Sequence, residues 1–583
     1  MHIQFVGAVS GTLTGSCTWL YHKKSDTQFL VDCGMFQGES YSHLDNKKKF
    51  PFIASQLKYV LLTHAHLDHC GLIPRLYKQG FKGQVITTEA TAELAKLIML
   101  DSARILNPKG NKHQGKKQKK EKNDSIYTVN DVNKVDFLCI DKNDNFTNKA
   151  YKVGHEISVT FLRNSHILGA SSVQITWESN NERKSILFSG DIGCNFDDKE
   201  YLPLLKPNHL PHISTNYLVI ESTYGNRERD EKYKNRANRL GTLTKVLENT
   251  TMKKGGKLIV PAFSLQRTQE IIFDFFTMFS VFENHERLAE AKFITYCYSN
   301  LAQKVNYIFS KELVKVNERT GKYKYLSNSA EKILESTRMT IGDIFSEELS
   351  IKEHKFFQQP KYKAGDLNSC NIIVASSGMC DAGPINEILK NTIEDEKNTI
   401  LLTGYVSPQS LAGRLKEVST NDNKVITIAD KVYHLRAEVI DLSSFYSAHA
   451  DVTQLLYYIF YIGEDYYHPD KVKDITLFIN HGNEDAKKSF KTAIEKRSSK
   501  ETYGERKVQD IIIAEKPDWF NLDKGCFDPN FSIRGHNTNN LLPYLQKIIE
   551  NQEEIKKDIK LIKEKLQTVE EIESTSQVFK LIK

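Results

Sequence analysis

The sequence predicts an α/β fold of more than one domain, and three observations predict it. Short apolar runs rich in β-branched residues alternate with helical segments along most of the chain, the pattern of layered α/β folds. Several of these runs stop at a histidine or aspartate flanked by small residues, as in "LLTHAHLDHC", "LFSGDIG" and "LFINHGN". The last stretch abandons the alternation for apolar residues at 3–4 spacing, a coiled-coil signature.

The elements follow in order. Residues 1–34 read as strands, in "IQFVGAV", "CTWLYH" and "TQFLVDCG". "KYVLLT" is a buried strand that runs straight into the histidine cluster, and "CGLIPRLYKQG" reads as a helix closed by Gly80. "QVITT" and "EATAELAKLIMLDSARIL" read as strand, then helix. The lysine-rich "NPKGNKHQGKKQKKEKND", residues 107–124, has no apolar face and reads as a disordered loop, with a nucleic-acid contact as the other option. Strands return in "ISVTFLRNSH", "SSVQITW" and "KSILFSGDIG". From about residue 215 to 430, short strands such as "YLVIEST", "GKLIVPAF", "CNIIVASSG" and "NTILLTGY" alternate with helices, which predicts a second α/β domain with a parallel sheet. "AEVIDLSSF", "DITLFINHG" and "VQDIIIAEK" then resemble the first region again. In the tail, Leu545, Ile548, Gln552, Ile555, Ile559, Ile562, Leu566 and Val569 keep a heptad pattern over about four repeats, which predicts self-association.

Composition narrows the function classes. Across 583 residues, 40% are hydrophobic and 26% charged, ordinary values for a soluble globular protein. No apolar run reaches the ~18–20 residues of a membrane span, and the N-terminus has no signal-peptide pattern. The nine cysteines are scattered with no Cys-x-x-Cys pair, which argues for a reducing, cytoplasmic setting and against a thiolate metal site. The net charge of +7 permits an anionic substrate without requiring one.

The chemistry sits in "THAHLDHC". His64 and His66 are two apart and point the same way on an extended segment, while Asp68 and His69 follow where the chain turns into a helix. That arrangement suits two metals side by side, each completed from elsewhere. His166 in "NSHILGAS", Asp191 in "LFSGDIG" and His481 in "LFINHGN" each end an apolar strand and are the candidates to complete them.

Together these motifs resemble the metallo-β-lactamase fold, specifically its β-CASP branch of nucleic-acid-cleaving enzymes, over about residues 1–490. Asp32 in "LVDCGMFQG", the "HAHLDH" cluster, His166 and Asp191 match the first four motifs. Glu221 in "VIESTYG", His449 in "FYSAHAD" and His481 match the branch's additions, and "PAFSLQRTQEI", "ASSGM" and "TGYVSPQSLAGRL" are further similar stretches. The likeness is strongest to the bacterial and archaeal ribonucleases of the group and to the eukaryotic pre-mRNA 3′-end endonuclease. It implies an αββα sandwich (1–214 and 432–534) with an inserted α/β β-CASP domain (215–431), while the C-terminal coiled-coil oligomerisation helix (541–573) is read from the heptad spacing and has no match in the common pattern.

The resemblance implies one zinc at His64, His66 and His166, another at Asp68, His69 and His481, and Asp191 between them, with manganese or iron as competing metals. It implies Asp32, Asp68, Glu221 and His449 as catalytic residues: Asp32 orients ligands, His449 is the general acid and Glu221 holds it. The implied reaction is hydrolysis of RNA by a two-metal-activated hydroxide. A DNA-directed nuclease of the same branch is the runner-up, with single-stranded DNA as a second possible substrate, and a non-catalytic RNA-binding subunit is the reading from another class. No membrane partner is expected, and a homo-oligomer through the tail is. Three departures touch substrate handling: Asn483 follows His481-Gly482 where Glu is usual, Pro384 stands where Arg is expected, and "TYCYSNLA" replaces an Asp-Ser stretch. Endonuclease and exonuclease modes share all these motifs.

Overall fold

The computed structural model describes residues 1–9, 13–38, 45–107, 125–141, 149–154, 156–196, 201–209, 215–281, 295–317, 320–345, 370–460, 474–499, 507–514 and 518–533. The lysine-rich stretch 108–124 and the heptad segment 541–573 lie outside them. Met1–Phe527 is one compact unit, and Asp528–Lys583 is a second.

Two mixed sheets and one parallel sheet organise the first unit. The first sheet has eight strands and runs from Cys526–Phe527 through Phe520–Asn521, His2–Phe5, Thr18–His22, Thr27–Val31, Leu57–Leu61 and Gln84–Thr87 to Phe137–Cys139. The second has seven: Val508–Ile513, Ile475–Ile479, Tyr217–Ile220, Glu182–Phe188, Ser171–Ser179, Ile157–Arg163 and Tyr151–Gly154. Their inner faces meet in one core. Phe29, Val31, Tyr59 and Leu61 from the first sheet pack with Val159, Phe161, Val173, Phe188 and Val219 from the second. The other face of the second sheet buries Leu187, Leu218 and Leu477 against Leu455 and Ile459 of helix Val452–Phe460 and Phe490 and Ile494 of helix Glu484–Ser498.

The third sheet has five parallel strands in the order Thr295–Tyr298, Ile372–Ala375, Leu258–Pro261, Thr399–Leu402, Glu438–Asp441. Strands buried on both faces read as continuous apolar runs, and the three central ones, Ile372–Ala375, Leu258–Pro261 and Thr399–Leu402, do, while the edge strand Glu438–Asp441 is charged at both ends. One face packs against helices Arg236–Leu247 and Arg267–Val281, the other against Pro384–Thr392 and Leu411–Ser419.

Sheet membership shifts the expected divisions at 214/215 and 431/432. Tyr217–Ile220 lies in the second sheet, parallel to Ile475–Ile479, and Glu438–Asp441 lies in the third. A short run such as "YLVI" fits the middle of either sheet, so its composition cannot say which sheet it joins. The helix expected over "CGLIPRLYKQG" is two pieces, Leu67–Cys70 and Ile73–Lys78, and Gly80 closes the second at φ +93°. The first piece carries Asp68 and His69.

Candidate metal centre

Every candidate donor stands just beyond the carboxyl end of a strand. Asp32 follows Thr27–Val31, and the His64–His69 cluster follows Leu57–Leu61. From the second sheet, His166 follows Ile157–Arg163, Asp191 follows Glu182–Phe188, Glu221 follows Tyr217–Ile220 and His481 follows Ile475–Ile479. The last three strands are parallel neighbours, with Phe188 opposite Val219 and Ile220 opposite Ile479. That register sets Asp191, Glu221 and His481 side by side.

The donors form two clusters around one carboxylate. In the first, His66 Nδ1 lies 3.1 Å from His64 Nε2 and 3.1 Å from His166 Nε2. Asp191 Oδ2 is 3.6 Å from His64 Nε2 and 3.5 Å from His166 Nε2. In the second, His69 Nε2 lies 3.2 Å from His481 Nε2, which is 3.4 Å from Asp68 Oδ2. Asp191 Oδ1 faces this cluster, 3.3 Å from His69 Nε2. The two oxygens of one carboxylate thus serve different clusters.

These spacings fit metal ions. A tetrahedral ion bound at about 2.0–2.1 Å holds its donors roughly 3.3 Å apart, the separation found throughout. Ring nitrogens gathered this closely around one buried carboxylate form the kind of donor set a divalent ion takes. Asp191 Oδ1 is itself buried with no hydrogen-bond partner. Nitrogen and oxygen donors without thiolate suit a borderline or hard divalent ion.

The electrostatics agree. Burial pushes the His64 and His166 imidazoles well below their ordinary range and His66 down to about 4, so these rings keep their lone pairs at neutral pH. Burial alone would raise the Asp191 carboxyl, but the His481, His69 and His64 imidazoles overcome it and hold it well below the carboxylate range. Burial likewise opposes charge on His69, yet Asp191 and Asp32 raise it well above its usual value. Carboxylates that draw a proton to this spot draw a cation too.

Asp32 sits one shell out. Its Oδ2 accepts from His69 Nδ1 at 2.7 Å, which turns Nε2 toward the second cluster. Thr63 Oγ1 donates to the same oxygen at 2.9 Å and lies 3.1 Å from His64 Nδ1. One carboxylate therefore orients a ring in each cluster. Asp32 and His481 hold left-handed backbone, φ +59° and +48°, which residues other than glycine adopt at a cost and mostly at functional sites.

His449 arrives from the chain that returns after the third sheet. Backbone bonds from Cys194 N to Ala448 O (2.8 Å) and from Ala450 N to Ile192 O (2.9 Å) pin it beside the Asp191 turn. Its Nδ1 lies 3.2 Å from Glu221 Oε2, and its ring centroid lies 4.5 Å from that of His166, the two planes tilted by 53°. Burial opposes charge on this ring, but the Glu221 carboxylate wins and raises it to about 9, although the side chain keeps 22% of its surface exposed. Glu221 also accepts from the backbone N–H groups of Ile192 and Thr223, so it cannot swing away.

The structure thus brings together all ten residues singled out from the sequence: Asp32, His64, His66, Asp68, His69, His166, Asp191, Glu221, His449 and His481. Two of the departures have structural roles. Asn483 caps helix Glu484–Ser498, accepting from Ala486 N at 2.8 Å, and Pro384 opens helix Pro384–Thr392, where its missing N–H costs nothing.

Three supporting residues were not read from the sequence. Thr63 is one. Asn164 is another: its Oδ1 accepts from His166 N (3.0 Å) and Gly193 N (2.9 Å), and its Nδ2 donates to Asp191 O, stapling two metal-site turns together. The third is Gln266, at φ +67°, whose Oε1 accepts from Leu168 N at 3.1 Å and so ties the third-sheet region to the His166 loop. Its Nε2 donates to Glu270 Oε1 at 2.8 Å.

Burial, then the neighbouring Asp274 carboxylate, push Glu270 up to about 7. Between pH ~4.5 and ~7 the unfolded chain gives up this proton while the folded chain keeps it, so stability falls across that window and is level above it. Melting curves at pH 5 and pH 8 should show the wild type losing roughly 1–3 kcal/mol more than Glu270→Gln. Parallel pH slopes for the two proteins would remove Glu270 as the cause.

Comparison with known proteins matches residues 11–138 to the Metallo-beta-lactamase superfamily and residues 268–415 to the Beta-Casp domain. The chain is 28% identical over 493 residues to transcription termination factor FttA of Methanocaldococcus jannaschii, covering 83% of this chain and 68% of that one. It is 26% identical over 441 residues to ribonuclease TTHA0252 of Thermus thermophilus, covering 73% and 84%. It is 26% identical over 421 residues to endoribonuclease YSH1 of Eremothecium gossypii, covering 71% and 48%. The chain spans 62–68% of the length of the FttA proteins of Methanocaldococcus jannaschii, Methanothermobacter thermautotrophicus and Methanococcus maripaludis.

Proposed function

We propose that this chain, which joins a metallo-beta-lactamase domain to a Beta-Casp domain, is a metal-dependent ribonuclease that hydrolyses phosphodiester bonds. The observation that carries the reading is the pair of donor clusters sharing Asp191, with His449 and Glu221 beside them. The names ribonuclease and endoribonuclease borne by two relatives support RNA as the substrate.

In this reading His64, His66 and His166 would hold one zinc ion and Asp68, His69 and His481 a second, with Asp191 available to both. When bound, the two ions supply Lewis acidity toward a phosphoryl oxygen and a water acidic enough to react at neutral pH. The chain's own residues do the rest. Asp32 keeps His69 in the tautomer that offers Nε2 inward. His449 carries the proton that a poor alkoxide leaving group needs, and Glu221 orients the imidazole through Nδ1 and favours its charged form. The reading includes a cytoplasmic homo-oligomer assembled through the heptad segment 541–573, which rests on sequence pattern alone.

The test is end-labelled RNA incubated with purified protein, beside DNA of the same sequence. RNA should be cut and a chelator should stop it. Ladders, released mononucleotides or discrete internal cuts then distinguish the mode. Intact RNA, or DNA cut faster than RNA, refutes the proposal. Asp32→Asn should lower zinc affinity roughly 10- to 100-fold, the usual cost of losing a group that orients a ligand. Competition against a chromogenic chelator measures it, and unchanged affinity would deny Asp32 that role.

A further inference from the structure

The carboxyl end of the third sheet carries a feature that the metal centre does not use. In open parallel sheets, ligands bind in the crevice outside the strand carboxyl ends, where neighbouring strands send their helices to opposite faces. Leu258–Pro261 is such a strand: the helix after it, Arg267–Val281, packs on one face. The helices after its neighbours Ile372–Ala375 and Thr399–Leu402 pack on the other.

Phe263 sits at that point, two residues past Pro261, and it is 36% exposed. An aromatic following a buried strand ordinarily turns into the core. This one rests on two glycines from the neighbouring loops. A Cβ at Gly378 would lie 3.0 Å from the ring's Cδ2 and Cε2, and one at Gly404 would lie 2.9 Å from Cε2. A side chain at Gly404 would force the ring to shift, and one at Gly378 would require it to give by a few tenths of an ångström. Bonds from Thr268 N (3.1 Å) and Thr268 Oγ1 (2.8 Å) to Phe263 O hold the turn. Tyr405, next to Gly404, is 48% exposed. Three hydroxyls from adjoining loops, Ser264, Ser299 and Ser376, are linked at 3.2 and 2.9 Å and supply polar groups nearby.

The loop also reaches the metal centre. Gln266, three residues on, bonds Leu168 N, two residues from His166. Chain reach puts Phe263 within roughly 25 Å of His166, a span of a few nucleotides.

We infer that Phe263, seated on Gly378 and Gly404, is a stacking platform for one unpaired nucleobase of the substrate strand, a few nucleotides from the bond that is cut. The inference rests on the ribonuclease reading for its ligand. Base-on-aromatic stacking tolerates any base and needs a rigid, solvent-facing ring, which the two glycines provide.

The probe is a nuclease-resistant phosphorothioate oligoribonucleotide carrying 2-aminopurine at successive positions, because stacking quenches that base. The wild-type chain should quench it strongly at one position. Phe263→Ala should abolish that quench and weaken binding roughly 10- to 100-fold, while Phe263→Trp keeps both and all three melt alike. Equal quenching by wild type and Phe263→Ala overturns the platform, even if RNA is cleaved. Position-specific quenching that needs Phe263, in a protein that cleaves no RNA, upholds the platform and refutes the ribonuclease reading instead. A Phe263→Trp chain that melts normally but neither quenches nor binds also overturns it, since a larger ring at that place should stack at least as well.

Discussion

Replacing Asp191 with alanine is expected to empty the metal centre and abolish turnover together. Its two oxygens face different clusters, Oδ2 toward His64 and His166 and Oδ1 toward His69. Without the carboxylate, the five imidazoles of the two clusters keep Asp68 as the one carboxylate among them, and no oxygen common to both clusters remains. The loss of activity should exceed roughly 100-fold, the upper figure for groups that merely orient a ligand. Asp191→Asn keeps the shape and removes the charge, so it should lose metal as well. Elemental analysis read beside an activity assay checks this. Full metal content with normal turnover in either variant would rule out a bridging carboxylate.

Removing His449 should do the opposite and separate chemistry from metal binding. His449→Ala should retain metal and bind RNA about as tightly as before, while turnover falls roughly 10²–10⁴-fold, the worth of a positioned acid. The loss should shrink on an activated aryl phosphodiester, whose leaving group needs no proton. Glu221→Gln should show a milder form, because Glu221 acts through the ring at 3.2 Å. The pH profile adds a second readout. The acid must be protonated to act, so turnover persists below the ring's pKa of about 9 and is lost as pH rises through it. Cations at the neighbouring donors move that limb downward, and His449→Ala should lack it altogether. An equal loss on both substrates, with a lowered melting temperature, would mean that His449 only packs the returning chain against Ile192–Cys194.

Much of the centre was legible because its logic is local. A histidine or aspartate that ends a buried strand has nowhere to point except the open edge of the sheet, and "HAHLDH", "SGDIG" and "INHG" all do this. What stayed hidden depends on which strands become neighbours. Tyr217–Ile220 and Ile372–Ala375 are equally apolar in composition, yet one joins the sandwich and the other the parallel sheet. Asn164, Thr63 and Gln266 are uncharged polar residues in turns, and nothing in their spacing shows that one staples two metal-site turns, one relays Asp32 to His64 and one joins the two regions. Phe263 ends the apolar run "GKLIVPAF", and the run alone does not say which way it faces. Only the two glycines that meet it in space, Gly378 and Gly404, explain why it faces outward.

The claim that two ions share one carboxylate is tested most directly by titrating zinc back into chelated protein while following RNA cleavage. Cleavage should stay low through the first equivalent and reach its plateau at two ions per chain. A plateau at one ion, or cleavage that persists in metal-free protein, would contradict it.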